Sequence, residues 1–200
     1  MNTINRDACS VKNILLCGVG GQGTILTSKI LTEGLIQAGY DVKMSEVHGM
    51  AQRGGSVSTQ VRYGDKVFSP LFGKGQADVC VAFERMEAAR YADYLKPDGI
   101  YIINDYRMTP MSVAVGAASY PENAIEAVSA AFEAIIVPAA DIAAGLGNVR
   151  TMNVVLLGSL LRVLGRESPP GVDWESVISA LIPEKLLAVN LEALRAGFKG

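Results

Sequence analysis

The glycines at positions 18, 20 and 23 have the spacing and the setting of a phosphate-binding turn. They follow an apolar run that is typical of a buried strand, and a helical pattern begins directly after them. Such a turn lets a phosphate approach the backbone and directs the N–H groups of a helix N-terminus at it. The candidate residues for an anionic cofactor or co-substrate are therefore Gly18, Gly20, Gly21, Gln22, Gly23 and Thr24. A plain packing corner remains the alternative, because the same spacing also occurs without a ligand.

A second group of chemically capable residues lies in a glycine-rich loop at positions 48–55. Arg53 can form two parallel hydrogen bonds with a phosphate or a carboxylate, and His48 titrates near neutral pH when it is unperturbed. The loop follows a predicted strand at residues 40–47, and ligands of open α/β sheets bind at the carboxyl ends of the strands. We therefore take His48, Gln52 and Arg53 as candidate catalytic residues. The alternative is a connecting loop whose polar groups are solvated.

Several common chemistries lack their residues in this sequence. One histidine allows a Ser-His-Asp triad only through His48, and Gly-Lys-Ser/Thr does not close the glycine turn. Cys9, Cys17 and Cys80 are too widely spaced to build a zinc site or an iron–sulfur cluster from this chain alone. We expect Cys17 and Cys80 to be small core residues. A nicotinamide enzyme stays open, because Glu46 could meet a ribose hydroxyl, although Glu46 could equally face water.

The composition points to one well-packed domain. Half of the 200 residues are hydrophobic and the net charge is −2, so the chain can bury a large core and has no excess of basic residues for nucleic acid. No apolar run is long enough to span a membrane, and the first twelve residues have no apolar signal core. With the sparse cysteines, these features predict a cytoplasmic protein that binds neither membrane nor nucleic acid.

Strand and helix patterns alternate along the chain. Strands are predicted near residues 14–17, 40–47, 56–63, 77–83, 100–104, 111–115 and 134–137, and helices near 84–95, 122–132, 139–146, 149–164 and 183–198. A hairpin is predicted between 56–63 and 66–69, a turn at 97–99, and a short helix capped by Asp173. This order predicts an α/β fold: a three-layer Rossmann-like domain with a mainly parallel sheet, one hairpin insertion and C-terminal helices. We divide the chain into a tail (1–12), the Rossmann-like domain (13–166) and a C-terminal helical appendage (167–200).

The two loops together resemble the gamma-type subunits of 2-oxoacid:ferredoxin oxidoreductases, and most of all the beta subunits of indolepyruvate:ferredoxin oxidoreductases. The resemblance runs from about residue 13 to 164. It rests on Gly18 to Gly23, Glu46 to Ser56, Ser69-Pro70 followed by Ala77-Asp78, and Asn153 with Leu157-Gly158. The sequence departs from the family at residues 73–76, where an acidic residue is usual.

The resemblance implies a division of labour between subunits. The family oxidises a 2-oxoacid with coenzyme A, releases carbon dioxide and passes electrons to ferredoxin. This chain would bind no cofactor alone. Thiamine diphosphate and iron–sulfur clusters would reside in a large partner subunit, and ferredoxin would be reached through the complex. Coenzyme A is the implied co-substrate at the glycine turn, and indolepyruvate or another aryl pyruvate is the implied substrate. The competing interpretations are a free-standing nucleotide-binding or regulatory module and an NAD-dependent dehydrogenase.

Overall fold

A computed structural model describes residues 11–48, 54–165 and 172–199. Within these residues the strands are β1 (Lys12–Val19), β2 (Asp41–His48), β3 (Ser56–Gly64), β4 (Ala77–Ala82), β5 (Leu95–Asn104) and β6 (Glu133–Val137). The helices of the same residues are α1 (Thr24–Gln37), α2 (Arg85–Tyr91), α3 (Met111–Ala114), α4 (Ala124–Ala131), α5 (Ala139–Gly145), α6 (Met152–Leu164), α7 (Trp174–Leu181) and α8 (Glu184–Lys199). Single turns of 3₁₀-helix cover Ala92–Tyr94 and Val149–Thr151.

The described strands form one six-stranded sheet in the order β2-β3-β1-β4-β5-β6. β1, β4, β5 and β6 pair in parallel, whereas β3 is antiparallel to both of its neighbours. β1 lies inside the sheet, and its residues from Ile14 to Cys17 are fully buried. This burial on both faces explains why the run is continuously apolar rather than alternating.

Helices cover both faces of the sheet, so the predicted three-layer α/β fold is confirmed. On one face Ile14 and Leu16 pack with residues of α1 and of α5 to α8. On the other face Leu15 and Cys17 pack with residues of α2 and α4. Cys17 and Cys80 are both buried with free thiols, as predicted.

The predicted hairpin was placed on the wrong pair of segments. β3 pairs with β2 on one side and with β1 on the other, so no edge of β3 is left for residues 66–69. The hairpin is instead formed by β2, which ends at His48, and β3, which begins at Ser56. The segment after β3 is held by the Asp41 carboxylate, which accepts a hydrogen bond from the Val67 N–H at 2.8 Å.

Two smaller predictions were also wrong. Residues 111–115 contain β-branched side chains, but Pro110 starts a helical turn in which its carbonyl accepts from the N–H groups of Val113 and Ala114. The predicted turn at residues 97–99 lies within β5, where the register with β4 shifts between the Ala77 and Val79 pairs. Both errors are local and leave the order of the sheet unchanged.

The C-terminal helices share the core of the α1 face. Val177 and Ile178 of α7, and Ala193 and Leu194 of α8, belong to the same buried cluster as α1 and α6. The predicted cap of α7 is confirmed, because the Asp173 carboxylate accepts from the Ser176 N–H at 3.2 Å. The division of the chain at residues 166 and 167 remains a prediction.

Candidate functional site

The glycine turn joins β1 to α1 at the carboxyl edge of the sheet, as predicted. Gln22 supports it from within, because its side chain is 6% exposed and both ends of its amide have partners in the chain. The oxygen accepts from the Val19 N–H at 2.7 Å, and the nitrogen donates to the Phe83 carbonyl at 3.1 Å. Gln22 therefore ties the turn to the end of β4. It lines the cleft but acts first as a structural support.

The glycines of the turn have different reasons to be glycine. A Cβ at Gly18 would lie 2.8 Å from the Phe83 Cβ, and one at Gly23 would lie 2.6 Å from the Asn153 amide nitrogen. These two positions allow close packing, whereas Gly21, with φ of +101°, faces open space with no atom within 4 Å of its Cβ position. The turn is thus both a packing corner and an accessible backbone surface. Thr24, the buried first residue of α1, follows it.

The second loop reaches the glycine turn through backbone hydrogen bonds. The Gly20 N–H donates to the Gly55 carbonyl at 2.8 Å, and the Gly54 N–H donates to the Gly20 carbonyl at 3.4 Å. The predicted proximity of the two loops is therefore confirmed at Gly54 and Gly55. The side chain of His48, together with Gln52 and Arg53, lies outside the described residues, so their predicted roles stay predictions.

A cleft of about 700 Å³ opens beside the turn, and the sequence did not predict its far wall. Gly21 to Gly23 form one side, and Asn148 to Asn153 form another. The exposed Arg150 lies in the 3₁₀ turn that precedes α6, where the Asn148 side chain accepts from its N–H at 3.1 Å. Asn148 before an apolar helical pattern was the available signal, since asparagine is a favoured helix cap. The cleft thus combines the N-terminal turns of two helices with a guanidinium group.

The remaining wall of the cleft is mostly apolar. It includes Leu26 on α1 and Leu181, Ile182, Pro183 and Leu186 at the junction of α7 and α8, and it is completed by Tyr106 and Asn190. Polar N–H groups at one side and aliphatic side chains at the other suit a ligand that has both an anionic and an apolar part.

Two buried glutamates support the same edge of the sheet on the opposite face. Glu84 caps α2, and its carboxylate accepts hydrogen bonds from the N–H groups of Met86, Glu87 and Met108 and from the Tyr120 hydroxyl. Burial and the bond to Glu84 raise the pKa of Tyr120. Sequence patterns missed this role, because two of the four contacts, those from Met108 and Tyr120, come from residues that no periodicity relates to Glu84.

Glu87 is the second buried carboxylate. Burial raises the pKa of Glu87, although the bonds from Ser56 and Arg90 oppose that increase. Because Ser56 follows Gly55, Glu87 connects α2 with the described end of the second loop.

Neither buried cysteine is suited to act as a nucleophile. Burial raises the pKa of the Cys17 thiol and of the Cys80 thiol. Reactive cysteines need the opposite, a lowered pKa and access to solvent. Among the residues that the structure describes, His, Cys, Asp and Glu form no group of three that could hold a metal ion. Nor does any helix of the described ranges combine the length and apolar character needed to cross a bilayer.

The position of Glu46 argues against a dinucleotide site. A ribose-binding carboxylate belongs at the end of the strand beside the glycine turn. Here β3 separates β2 from β1, and Glu46 pairs with Thr59, which in turn pairs with Leu16. Glu46 therefore lies two strands away from the glycine turn. Along the sheet it is level with Leu16, which precedes the turn.

Curated relatives match the chain over nearly its whole length. Indolepyruvate oxidoreductase subunit IorB of Archaeoglobus fulgidus is 41% identical over 193 residues, which cover 93% of each protein. The subunit of the same name from Pyrococcus horikoshii is 39% identical over 192 residues, 94% of each. Ketoisovalerate oxidoreductase subunit VorA of Methanothermobacter thermautotrophicus is 30% identical over 92% of this chain, but the match covers only 35% of VorA.

Solved structures share the fold. Pyruvate oxidoreductase subunit PORC of Thermotoga maritima superposes with a TM-score of 0.71 at 25% identity, over 94% of this chain and 96% of PORC. The 2-oxoglutarate:ferredoxin oxidoreductase of Magnetococcus marinus, with 2-oxoglutarate, coenzyme A and succinyl-CoA bound, superposes with a TM-score of 0.73 at 22% identity, over 94% of this chain and 30% of that one. Residues 13–200 match the family described as pyruvate ferredoxin/flavodoxin oxidoreductase, and the chain belongs to that family.

Proposed function

We propose that this chain is the subunit without cofactors in a thiamine diphosphate-dependent 2-oxoacid:ferredoxin oxidoreductase. In the complex it holds coenzyme A and helps to close the active site. The names of the relatives suggest indolepyruvate or another aryl pyruvate as the substrate. The observation that carries the proposal is the open backbone at Gly21, placed at the mouth of a large cleft and bonded through Gly20 to the second loop.

The anionic part of coenzyme A fits the glycine-turn side of the cleft. The first N–H groups of α1 have no partner within the helix, and the helix dipole favours negative charge there by roughly 0.3–1 kcal/mol. Arg150 lines the same cleft and can form a charged pair with a phosphate. Gly21 provides the room that this approach needs, because no atom lies within 4 Å of its Cβ position.

The pantetheine part fits the apolar side. Leu26, Leu181 and Leu186 line the cleft, and a volume of about 700 Å³ lies in the range of small-molecule sites, roughly 300–1,000 Å³. The two sides together match a co-substrate that has phosphates at one end and a thioester-forming chain at the other.

Active-site closure is assigned to the second loop. The described end of this loop, Gly54 and Gly55, is hydrogen-bonded to the backbone of Gly20. A ligand bound at the glycine turn would therefore lie next to the loop. We assign to His48, Gln52 and Arg53 a position facing the thiamine site of the partner, where Arg53 would pair with a substrate carboxylate or a coenzyme A phosphate. Thiamine diphosphate, held by the large partner subunit with the iron–sulfur clusters, supplies the carbanion chemistry of decarboxylation.

Reconstitution with the partner tests the proposal. The large subunit that copurifies with this chain is identified, and the complex is assayed for coenzyme A-dependent oxidation of aryl pyruvates with ferredoxin. Arg150→Gln should weaken coenzyme A binding to the complex about tenfold, the effect of losing one charged hydrogen bond. Arg162→Gln, near the opposite end of α6, is the matched control and should leave the affinity unchanged.

Two outcomes would contradict the proposal. A chain that purifies without a partner and binds a nucleotide would point to a free-standing module instead. Equal coenzyme A affinity in the Arg150 variant and the wild-type complex would remove coenzyme A from this cleft.

A further inference from the structure

A groove lined by three methionines lies at the carboxyl edge of the sheet, on the α2 face. We call it the methionine groove and define it by its apolar residues Met86, Met108, Met111, Val19 and Pro110; Thr109 and the ion pair of Glu87 with Arg90 also line it. Its volume is about 400 Å³, and Gly54 and Ser56 form its border towards the second loop. Methionine side chains adapt to irregular apolar surfaces and recur where one protein accommodates another.

Residues 111–115, which continue from the groove, expose two large apolar side chains to solvent. Met111 of α3 is 75% exposed and Val115, which follows α3, is 68% exposed. The two residues lie four positions apart, at the start of α3 and directly after its end, and exposed apolar patches are typical of interaction surfaces.

This segment is nevertheless held in place at both ends. At its start the Met108 N–H donates to Glu84 at 3.1 Å, and at its end the Tyr120 hydroxyl donates to the same carboxylate. Arg107 adds an ion pair with Glu122 at 2.8 Å and stacks 4.3 Å above the Tyr120 ring. An apolar surface that is fixed in advance loses less conformational entropy when it binds.

The charges around the groove are already paired within the chain. Arg90 pairs with Glu87 at 3.0 Å, Arg85 with Asp105, and Arg107 with Glu122. A phosphate or an acidic peptide would have to compete with these carboxylates. The groove therefore favours an apolar occupant.

The family supplies a candidate for that occupant. The match to VorA covers 35% of that polypeptide, so about two thirds of VorA is additional chain joined covalently to this fold. In the Magnetococcus marinus enzyme the shared fold is likewise 30% of a longer chain. The match covers 94% and 93% of the two IorB relatives, so these proteins would have to make between polypeptides the contacts that VorA makes within one.

We propose that the methionine groove and the projecting residues Met111 and Val115 are the docking surface for apolar side chains of the large partner subunit. This inference rests on the proposed function, which requires the partner to face the carboxyl edge. The groove lies on that edge and shares Gly54 with the loop assigned to closure. Docking there would bring the partner against both the glycine turn and the second loop.

Charge substitutions at exposed positions test the surface. Met111→Lys and Val115→Lys, made separately, should each weaken binding of the copurifying large subunit about tenfold or more, as expected for a residue central to an interface. The control is Ile36→Lys, since Ile36 is 50% exposed in the last turn of α1, at the opposite edge of the sheet. The control should leave the dissociation constant unchanged. Equal urea midpoints for all three isolated variants would show that they fold.

The possible results separate this inference from the proposed function. Wild-type affinity in both the Met111→Lys and the Val115→Lys variant, in a complex that turns over normally, would overturn the docking surface and leave the proposed function intact. Equal weakening by Ile36→Lys would also overturn it, because the effect would not depend on this face. Failure of the wild-type chain to bind a large subunit would overturn the proposed function and the partner named here together.

Discussion

The Ser56 hydroxyl donates a hydrogen bond to the carboxylate of Glu87, whose side chain is only 2% exposed. Ser56 is the first residue of β3 and follows Gly55, which accepts the N–H of Gly20. The contact therefore connects α2 with the place where the two glycine-containing loops meet. A buried acid at this point makes the stability of the edge depend on pH.

The first prediction concerns that pH dependence. Burial raises the pKa of Glu87, so the folded chain binds this proton more tightly than the unfolded chain, in which a glutamate has a pKa of about 4.3. The contribution of Glu87 to the free energy of unfolding must then increase as the pH falls through the raised pKa of the folded chain. The increase is complete below the pKa that Glu87 has in the unfolded chain. The free energy of unfolding of the wild-type chain should increase relative to Glu87→Gln between neutral pH and about pH 5.

Urea unfolding of both proteins at several pH values measures this difference. Glu126→Gln, at an exposed position of α4, provides a control that should show no such trend. A wild-type chain that loses stability relative to Glu87→Gln on acidification would show that the carboxylate is stabilised, not strained, by its surroundings.

The second prediction concerns the crossing of α6 and α8. A Cβ at Gly197 would overlap the Val155 carbonyl oxygen, and the Gly158 Cα lies 3.0 Å from the same position. Gly197→Ala should therefore lower the free energy of unfolding by about 1–3 kcal/mol, the usual cost of overpacking. Gly145→Ala is the control, since no atom lies within 4 Å of its Cβ position and its φ is not positive. Comparable losses in the two variants would mean that α8 can move away from α6 without cost.

The order of the elements could be predicted because its causes are local. The glycine turn follows from three glycines between a strand and a helix, and the buried strands follow from apolar runs such as the one in β1. The pairing of β3 could not be predicted in the same way. Residues 66–69 have a strand-like pattern, yet both edges of β3 are already occupied by β1 and β2. Strand pairing depends on competition between distant segments, which periodicity does not record.

The site was predictable to the same extent. The turn and the second loop were identified by residue type and spacing, and their contact was inferred from the edge at which parallel strands end. Arg150 was not predicted, because it lies more than a hundred residues after the glycine turn in the sequence. It lines the same cleft as the turn only because α6 packs against α1. Leu181 and Leu186 were not predicted for the same reason.

The third prediction is that the isolated chain neither contains iron nor oxidises a 2-oxoacid. Cys17 and Cys80 are buried, and the sequence holds one further cysteine and a single histidine. Metal analysis of the purified chain should find iron far below one equivalent. Turnover of any 2-oxoacid by the pure chain, with added thiamine diphosphate and a dye acceptor, would contradict its assignment as a subunit without cofactors.

The fourth prediction tests the glycine turn separately from Arg150. Gly21→Ala should weaken coenzyme A binding to the complex about fivefold, because a strained turn misaligns an N–H donor that contributes roughly 1 kcal/mol. Gly75→Ala is matched in backbone strain, since Gly75 also has a positive φ and open space around its Cβ position, but it does not line the cleft. Calorimetric titration of the two complexes with coenzyme A makes the comparison. An equal loss in both would show that strain anywhere in the chain, not the turn itself, lowers the affinity.

The last prediction concerns Arg53, which precedes the Gly54 that donates its N–H to Gly20. Arg53→Lys keeps the positive charge but removes the planar pair of donors that matches a carboxylate or a phosphate. If Arg53 binds substrate or coenzyme A in the complex, the reconstituted enzyme should lose about tenfold or more in activity, from the roughly 1.5–3 kcal/mol of a charged hydrogen bond. The urea midpoint of the isolated chain should stay unchanged. Arg195→Lys, at an exposed ion pair with Glu175 on the C-terminal helices, is the control and should retain activity. Full activity in the Arg53 variant would make the second loop a structural connection, and the proposed site would then be limited to the glycine turn and the cleft beside it.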